Sequence, residues 1–282
     1  MRNKNNYKLP VALIASLVIV ACTDTSETAG TTGGGQGTAG SLATMTVLQN
    51  ELHILHNNRI SSFDITSDVL NPQEVGVSYL SMGTAETLSP FGSEYVLVGT
   101  SNGVVIQKYK SDTTAGSARF EHVNSVPHLV ARDPVIAKDT RAFFTTRDGN
   151  DDFSAREDVV GMIDISALEN ATIIYRYADL KEPIGLGWWQ EALYVCDREE
   201  GLTKFTIEEV NLADTNQLDE NNTLIIQDTF GPGLVRQELN GFFPCSDVIP
   251  QGDFLILTGE SGVTQLKMGQ SGMAVVSTIE SQ

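Results

Sequence analysis

The chain has 282 residues, 41% of them hydrophobic and 19% charged. Its 18 basic residues stand against 36 acidic ones, and a formal charge of −18 excludes recognition of nucleic acid or anionic headgroups through a basic surface. No apolar run reaches the length of a membrane span, so the composition describes a globular chain with a core.

In chain order, residues 1–21 read as a processing segment. Arg2, Lys4 and Lys8 form a basic start, and Leu9–Ala21 is an apolar run of thirteen residues. It ends in Ile19-Val20-Ala21-Cys22, which resembles the lipobox of bacterial lipoproteins. That resemblance implies cleavage before Cys22 and acylation of its thiol and amine, and Thr23 at the following position implies the outer membrane. Several acyl chains hold a protein on a bilayer far better than one. Thr23–Ser41 contains no large apolar residue and reads as a flexible tether, residues 22–41 in all. Its root-mean-square reach is roughly 25 Å. Without the three basic residues of the leader, the chain keeps 15 basic against 36 acidic residues, a net of −21.

Residues 42–282 repeat a four-strand pattern five times. The unit is clearest at Gly185–Ile207, where a strand to Trp189, a tight turn at Gln190–Glu191, a strand to Cys196, a turn at Asp197–Gly201 and a third strand follow one another. Aligned second strands are LHILHN from Leu52, YVLVGT from Tyr95, AFFTTR from Ala142, LYVCDR from Leu193 and FLILTG from Phe254, spaced 43, 47, 51 and 61 residues apart. Fourth strands are placed at Glu74, Ala118, Thr172, Thr223 and Met273. Four-stranded units at this spacing predict an all-β fold, a β-propeller of five antiparallel blades at about 44–80, 86–125, 132–180, 183–231 and 245–282. Each copy holds its own four strands, so closure needs no strand shared between the ends. No amphipathic helix is predicted.

The third strands carry a nameable likeness. Met162-Ile163-Asp164-Ile165-Ser166 and Ser62-Phe63-Asp64-Ile65-Thr66 resemble the strand that names the LVIVD-repeat family, as do the opening glycines Gly103, Gly201 and Gly262. The acid of the motif is replaced by Lys108, Thr206 and Lys267 in the other copies. The resemblance implies a propeller on an exported bacterial protein, with no shared chemistry attached to the family. Longer members carry more repeats before a Gly-rich segment, so this chain resembles a short form.

Enzyme signatures are sparse. Gly259-Glu260-Ser261-Gly262 lacks the spacing of a nucleophile elbow, and no Gly-rich phosphate loop or C-x-x-C pair occurs. His53 and His56 are three apart on a strand and point to opposite faces, so they cannot share an ion. Asp148-Gly149-Asn150-Asp151-Asp152 opens like a calcium loop but has Phe153 and Val159 where glycine and glutamate are required. Trp188 and Trp189 face opposite ways, one expected between blades, the other covering a neighbouring sheet or stacking on a sugar. Cys196 and Cys245 are expected to be buried free thiols, since unpaired cysteine is among the most buried residue types. Export leaves a disulfide between them as the alternative.

The candidate site comes from topology. Connections from fourth to first strands gather at one mouth of the ring, where Glu86, Arg132, Asp133, Glu182 and Asp247 lead into first strands. Three carboxylates with Asn or water ligands suit Ca²⁺, and two of unequal pKa suit acid–base work. The alternative is an ion network in which Arg132 pairs with the acids and ties the blades together. The expected function is a lipid-anchored, non-catalytic module of the envelope that binds a ligand, a protein or a glycan, or acts as a scaffold, with no cofactor required. The alternative is an envelope hydrolase or lyase that uses the mouth carboxylates and a divalent cation.

Overall fold

Tight turns set the hairpins of this chain. Gln49-Asn50, Asn57-Asn58 and Gln190-Glu191 all take positive φ, between 46° and 64°. Two consecutive left-handed residues give a turn whose twist matches that of the strands it joins. The computed structural model describes residues 41–111, 114–128, 134–147, 158–212, 230–269 and 272–281, and in it twenty strands form, three of whose hairpins carry such turns. The described residues all fall within one unit, 33–282.

The first blade contains β1 (Met45–Leu48), β2 (Glu51–His56), β3 (Arg59–Asp64) and β4 (Gln73–Tyr79); the second contains β5 (Ala85–Phe91), β6 (Tyr95–Thr100), β7 (Gly103–Tyr109) and β8 (Phe120–Pro127). The third is β9 (Val135–Lys138), β10 (Arg141–Thr146), β11 (Val159–Asp164) and β12 (Thr172–Tyr177). In the fourth, β13 (Pro183–Trp189) and β14 (Ala192–Asp197) precede the long pair β15 (Gly201–Asn211) and β16 (Phe230–Gln237). The fifth is β17 (Asp247–Gln251), β18 (Phe254–Gly259), β19 (Gly262–Gly269) and β20 (Gly272–Glu280). Every sheet is antiparallel and built from consecutive strands, so five four-stranded blades form a propeller arrangement without strand exchange. A 3₁₀ turn, Leu168–Asn170, lies between β11 and β12.

Two strand assignments change. The fourth strand of blade four is Phe230–Gln237, and it pairs with Lys204–Asn211 of β15, mostly as a ribbon beyond the pairing with β14; the expected run from Thr223 lies, up to residue 229, outside the described residues. Second strands begin in register at Glu51, Tyr95, Arg141, Ala192 and Phe254. Aligning Leu52, Ala142 and Leu193 with Tyr95 is therefore one residue out, and on a strand that error exchanges the two faces.

The corrected register explains the core. Alternate residues of each second strand pack against the preceding and following blades. Val96 and Val98 meet Leu55 and Ile60 of blade one, while Leu97 meets Ala142 and Phe144 of blade three. Phe143 meets Leu193 and Val195 of blade four; Tyr194 and Cys196 meet Leu255 and Leu257 of blade five. Four apolar clusters thus fill four seams, each joining consecutive blades. Between blades five and one, no such cluster forms among the described residues.

Both tryptophans pack between blades. Trp188 stacks on Phe143 of blade three at 5.3 Å, and Trp189 donates its indole N–H to Gly252 O at 2.7 Å in blade five. The expectation of free thiols is overturned: Cys196 and Cys245 form a disulfide, with Cα atoms 5.4 Å apart. The reason is the faces. Cys196 points toward blade five, not toward blade three as its alignment with Val98 implied, and the connection carrying Cys245 crosses there. Leu202 N donates to Phe243 O at 2.8 Å and fixes that crossing.

A bridge closing a loop of 49 residues removes freedom from the unfolded chain. Replacing both cysteines by serine is expected to cost about 2–4 kcal/mol in urea unfolding. An unchanged midpoint would mean the bridge does not form.

Candidate functional site

The turns between second and third strands and the connections between blades share one rim, called upper here. Hydrogen bonds tie the two sets together. Ser101 N donates to Thr84 O at 2.9 Å, Arg198 N to Glu182 O at 2.9 Å, and Ser246 N to Thr258 O at 2.6 Å. Residues leading into first strands are thereby held against the ends of second strands in blades two, four and five.

At the axis, where the inner strands converge, lies the chain's own lead-in. Ser41 is buried, and its hydroxyl donates to Asp247 Oδ1 at 3.0 Å while accepting from Leu186 N at 2.7 Å. Ala43 O accepts from Leu88 N, and Thr44 O from Leu55 N, both at 2.8 Å. The segment Ser41–Thr44 therefore touches the inner strands of blades two, four and five before it enters β1. A side chain at Gly185 would run into Asp247, so glycine there makes the close approach of β13 and β17 possible.

Asp247 is the hub of this contact. Burial pushes its carboxyl above the ordinary range, against hydrogen bonds from Ser41 Oγ and the backbone N–H groups of Val248, Leu42 and Ser41 that pull it down. Its oxygens face the chain's own donors.

Glu182 accepts from Arg147 Nη1 at 3.4 Å and from Arg198 Nη1, so two guanidinium groups share one carboxylate on the upper rim. The backbone there is set by Asp197, fully buried. Its Oδ2 accepts from Lys181 N at 2.8 Å and Glu182 N at 3.0 Å, and its Oδ1 accepts from Glu199 N and Glu200 N, each at 3.0 Å. One carboxylate thus caps the turn after β14 and the lead-in to β13.

Glu86 is half-buried at the bulge between Ala85 and Thr87 of β5. Arg132 and Asp133 lie outside the described residues, as do Cys22 and the Asp148–Asp152 loop. Of the expected mouth residues, Glu182 and Asp247 can thus be followed to their partners. Glu182 sits in an ion pair network and Asp247 holds the lead-in. Among the described residues, no three His, Cys, Asp or Glu side chains come together as a metal cage. Sequence reasoning missed Ser41, Arg147, Asp197 and Arg198. Only Asp197 left a signal, heading a turn that ends at Gly201.

The opposite rim holds a second polar group, inside the seam of blades one and two. Glu51 pairs with Arg119 at 3.2 Å, both buried. Beside them His53 meets Ser62 Oγ at 2.8 Å and Leu48 O at 3.2 Å. A carbonyl can only accept, so Nε2 carries the proton and Nδ1 accepts from Ser62. Burial lowers the His53 pKa to about 4 and keeps the ring neutral. His56, exposed on the other face of β2, is separate from it. On the same rim, an open cleft of about 390 Å³ lies beneath the β15–β16 ribbon, lined by Arg141, Ile207, Glu208, Glu209, Gly231 and Pro232.

No family model matches this chain, and no curated protein matches it in sequence. Solved structures do share its fold. The chain superposes on a protein of Bacteroides fragilis NCTC 9343 described as a putative 6-phosphogluconolactonase, with TM-score 0.55 and 12% identity over 84% of this chain and 69% of that one. A protein of Bacteroides uniformis ATCC 8492 with the same description gives TM-score 0.50 and 10% identity over 84% and 70% of the two chains. AztD of Citrobacter koseri gives TM-score 0.47 and 9% identity over 83% and 61%. At 12% and 10% identity, the likeness to the two Bacteroides proteins shows the propeller fold alone.

The Asp247 contact predicts a signed pH effect. A carboxyl whose pKa is raised on folding binds its proton more tightly in the folded state. Its contribution is fully present below the unfolded value and is lost as pH rises through the folded one. The stability of the wild type relative to Asp247→Asn, read from urea unfolding, is therefore expected to fall from about pH 4 to pH 7. A difference that grows with pH would mean the carboxylate is favoured ionised.

Proposed function

We propose that this chain is a non-catalytic binding or scaffolding module of the bacterial cell envelope, a propeller of LVIVD-repeat type carried on a tether and anchored by lipid at Cys22. The observation that carries the reading is the lead-in at the axis. Ser41–Thr44 lies where the inner strands converge, and Asp247 faces it through its hydrogen bonds. Glu182 is likewise engaged by Arg147 and Arg198. Two of the polar groups expected to work on a substrate at the mouth, Glu182 and Asp247, are thus engaged within the propeller itself. Outer faces and rims are then the surfaces offered to a partner protein or glycan.

Two further features support the placement. A disulfide joins Cys196 and Cys245, and such bridges persist in oxidising compartments. The surplus of acidic residues keeps the module off anionic headgroups, so a lipid at Cys22 rather than surface charge would hold it at the membrane. The Bacteroides proteins carry a lactonase description, which at 12% and 10% identity does not extend to this chain.

Growth with an alkyne-tagged palmitate tests the anchor. The wild type is expected to take up the label on its N-terminal peptide, and Cys22→Ser to lose it. An unlabelled wild type, or label retained by Cys22→Ser, would overturn the anchored reading.

A further inference from the structure

Each seam of the propeller joins two kinds of face, the forward face of one blade and the backward face of the next. On inner strands the backward face is led by Met45, Leu88, Val135, Leu186 and Val248 in blades one to five. Leu88 is 2% exposed and Val135, Leu186 and Val248 are 0%, whereas Met45 is 53% exposed. Its neighbour Val47 is 57% exposed. Register continues this face through Leu52, Ile54 and Phe63 to the outer strand, where Tyr79 is 78% exposed. Blade five shows the mirror of this. Its forward face holds Ile249, Phe254, Ile256, Val263 and Ile279, and the position of Ile256 is filled in the other blades by His53, Leu97, Phe143 and Tyr194, all buried. Ile256 is only half-buried and Ile279 is 69% exposed. Two apolar sheet faces of opposite kinds are thus left uncovered by the described residues.

We infer that these two faces bind the matching faces of a second copy of this chain, blade one of each copy stacked on blade five of the other. The first argument is complementarity of kind. Forward and backward faces are what the four internal seams are made of, and a second copy supplies both. Inner strands pack across those seams, β5 against β9 and β13 against β17. A twofold arrangement fills both faces of each copy and leaves no open end.

Charge is the second argument. Lys267 stands on the forward face of blade five, its ammonium 5.2 Å from the centre of the Phe254 ring, and Glu74 stands opposite Phe63 on the backward face of blade one. Both lie at the lower rim. Stacking one face on the other brings opposite charges to that rim, as the Glu51–Arg119 pair does in the seam of blades one and two. The faces carry two cations, Arg59 and Lys267, and two acids, Glu74 and the buried Asp247, in a chain with twice as many acidic as basic residues. These charges balance, so like-charge repulsion between copies is weaker at this contact than the overall acidity of the chain implies. An uncovered apolar patch rimmed by polar groups is the usual mark of association.

Cysteine pairing between two differently tagged chains tests this. One chain carries Val47→Cys and the other Ile249→Cys, each full-length, co-expressed and extracted from membranes in mild detergent. Oxidation is expected to give a product bearing both tags. Lys267→Glu in the second chain should lower its yield several-fold, and adding Glu74→Lys in the first should restore it. No doubly tagged product would overturn the inference. So would closure of a single chain carrying both cysteines, which would mean the seam joins within one copy, or an adduct with a different protein.

Discussion

Ser41 Oγ lies between the Leu186 amide and the Asp247 carboxylate, 206 positions along the chain, and the geometry of the ring depends on that contact. A propeller that keeps each blade's strands consecutive has no shared strand to join its ends. Four seams are closed by apolar packing that scales with buried area. Between blades five and one, the described residues offer instead a hydroxyl, a buried carboxylate and the peptide groups of the lead-in. Such bonds are individually modest, at about 0.5–1.5 kcal/mol, or about 1.5–3 kcal/mol where one partner is charged. They are directional, however, and fix where β1 starts relative to blades two, four and five.

That arrangement bears on function in two ways. The tether expected to run from Cys22 arrives at the axis, so its last residue is part of the fold and cannot be removed as linker. Ser41 was grouped with the tether because nothing local distinguishes it from the Gly, Thr and Ala before it. The same contact leaves the faces of blades one and five without the cover that internal blades have, and directs attention from the mouth of the ring to its flank. The Cys196–Cys245 bridge and the Asp197 cap hold the frame around blade four, as the proposed binding role requires.

Blade number and most strands were legible because a period of two, repeated five times, is a strong signal. The faces were not, since the period is indifferent to a slip of one residue. Starting the second strands at Leu52 and Leu193 rather than Glu51 and Ala192 turned each pattern over, and the direction of Cys196 with it. The fourth strand of blade four was misplaced for a related reason: the run from Thr223 has the composition of a strand, yet β15 extends to Asn211 and selects Phe230–Gln237 by register. The candidate site was legible as residues near one rim but not as partners. Glu182 meets arginines supplied by turns, and Asp247 meets a serine at the far end of the domain, contacts that only the folded arrangement of the blades creates.

Amide hydrogen exchange resolved to single residues tests the axial contact most directly. The account predicts slow exchange at Leu186, whose N–H is bonded to Ser41 Oγ, and at Leu88, whose N–H is bonded to Ala43 O. In Ser41→Ala both amides should exchange faster together, because the lead-in is released as a unit, while the amides of β6 and β10 remain protected. Fast exchange at Leu186 and Leu88 in the wild type, or protection at Leu88 that Ser41→Ala leaves unchanged, would contradict it.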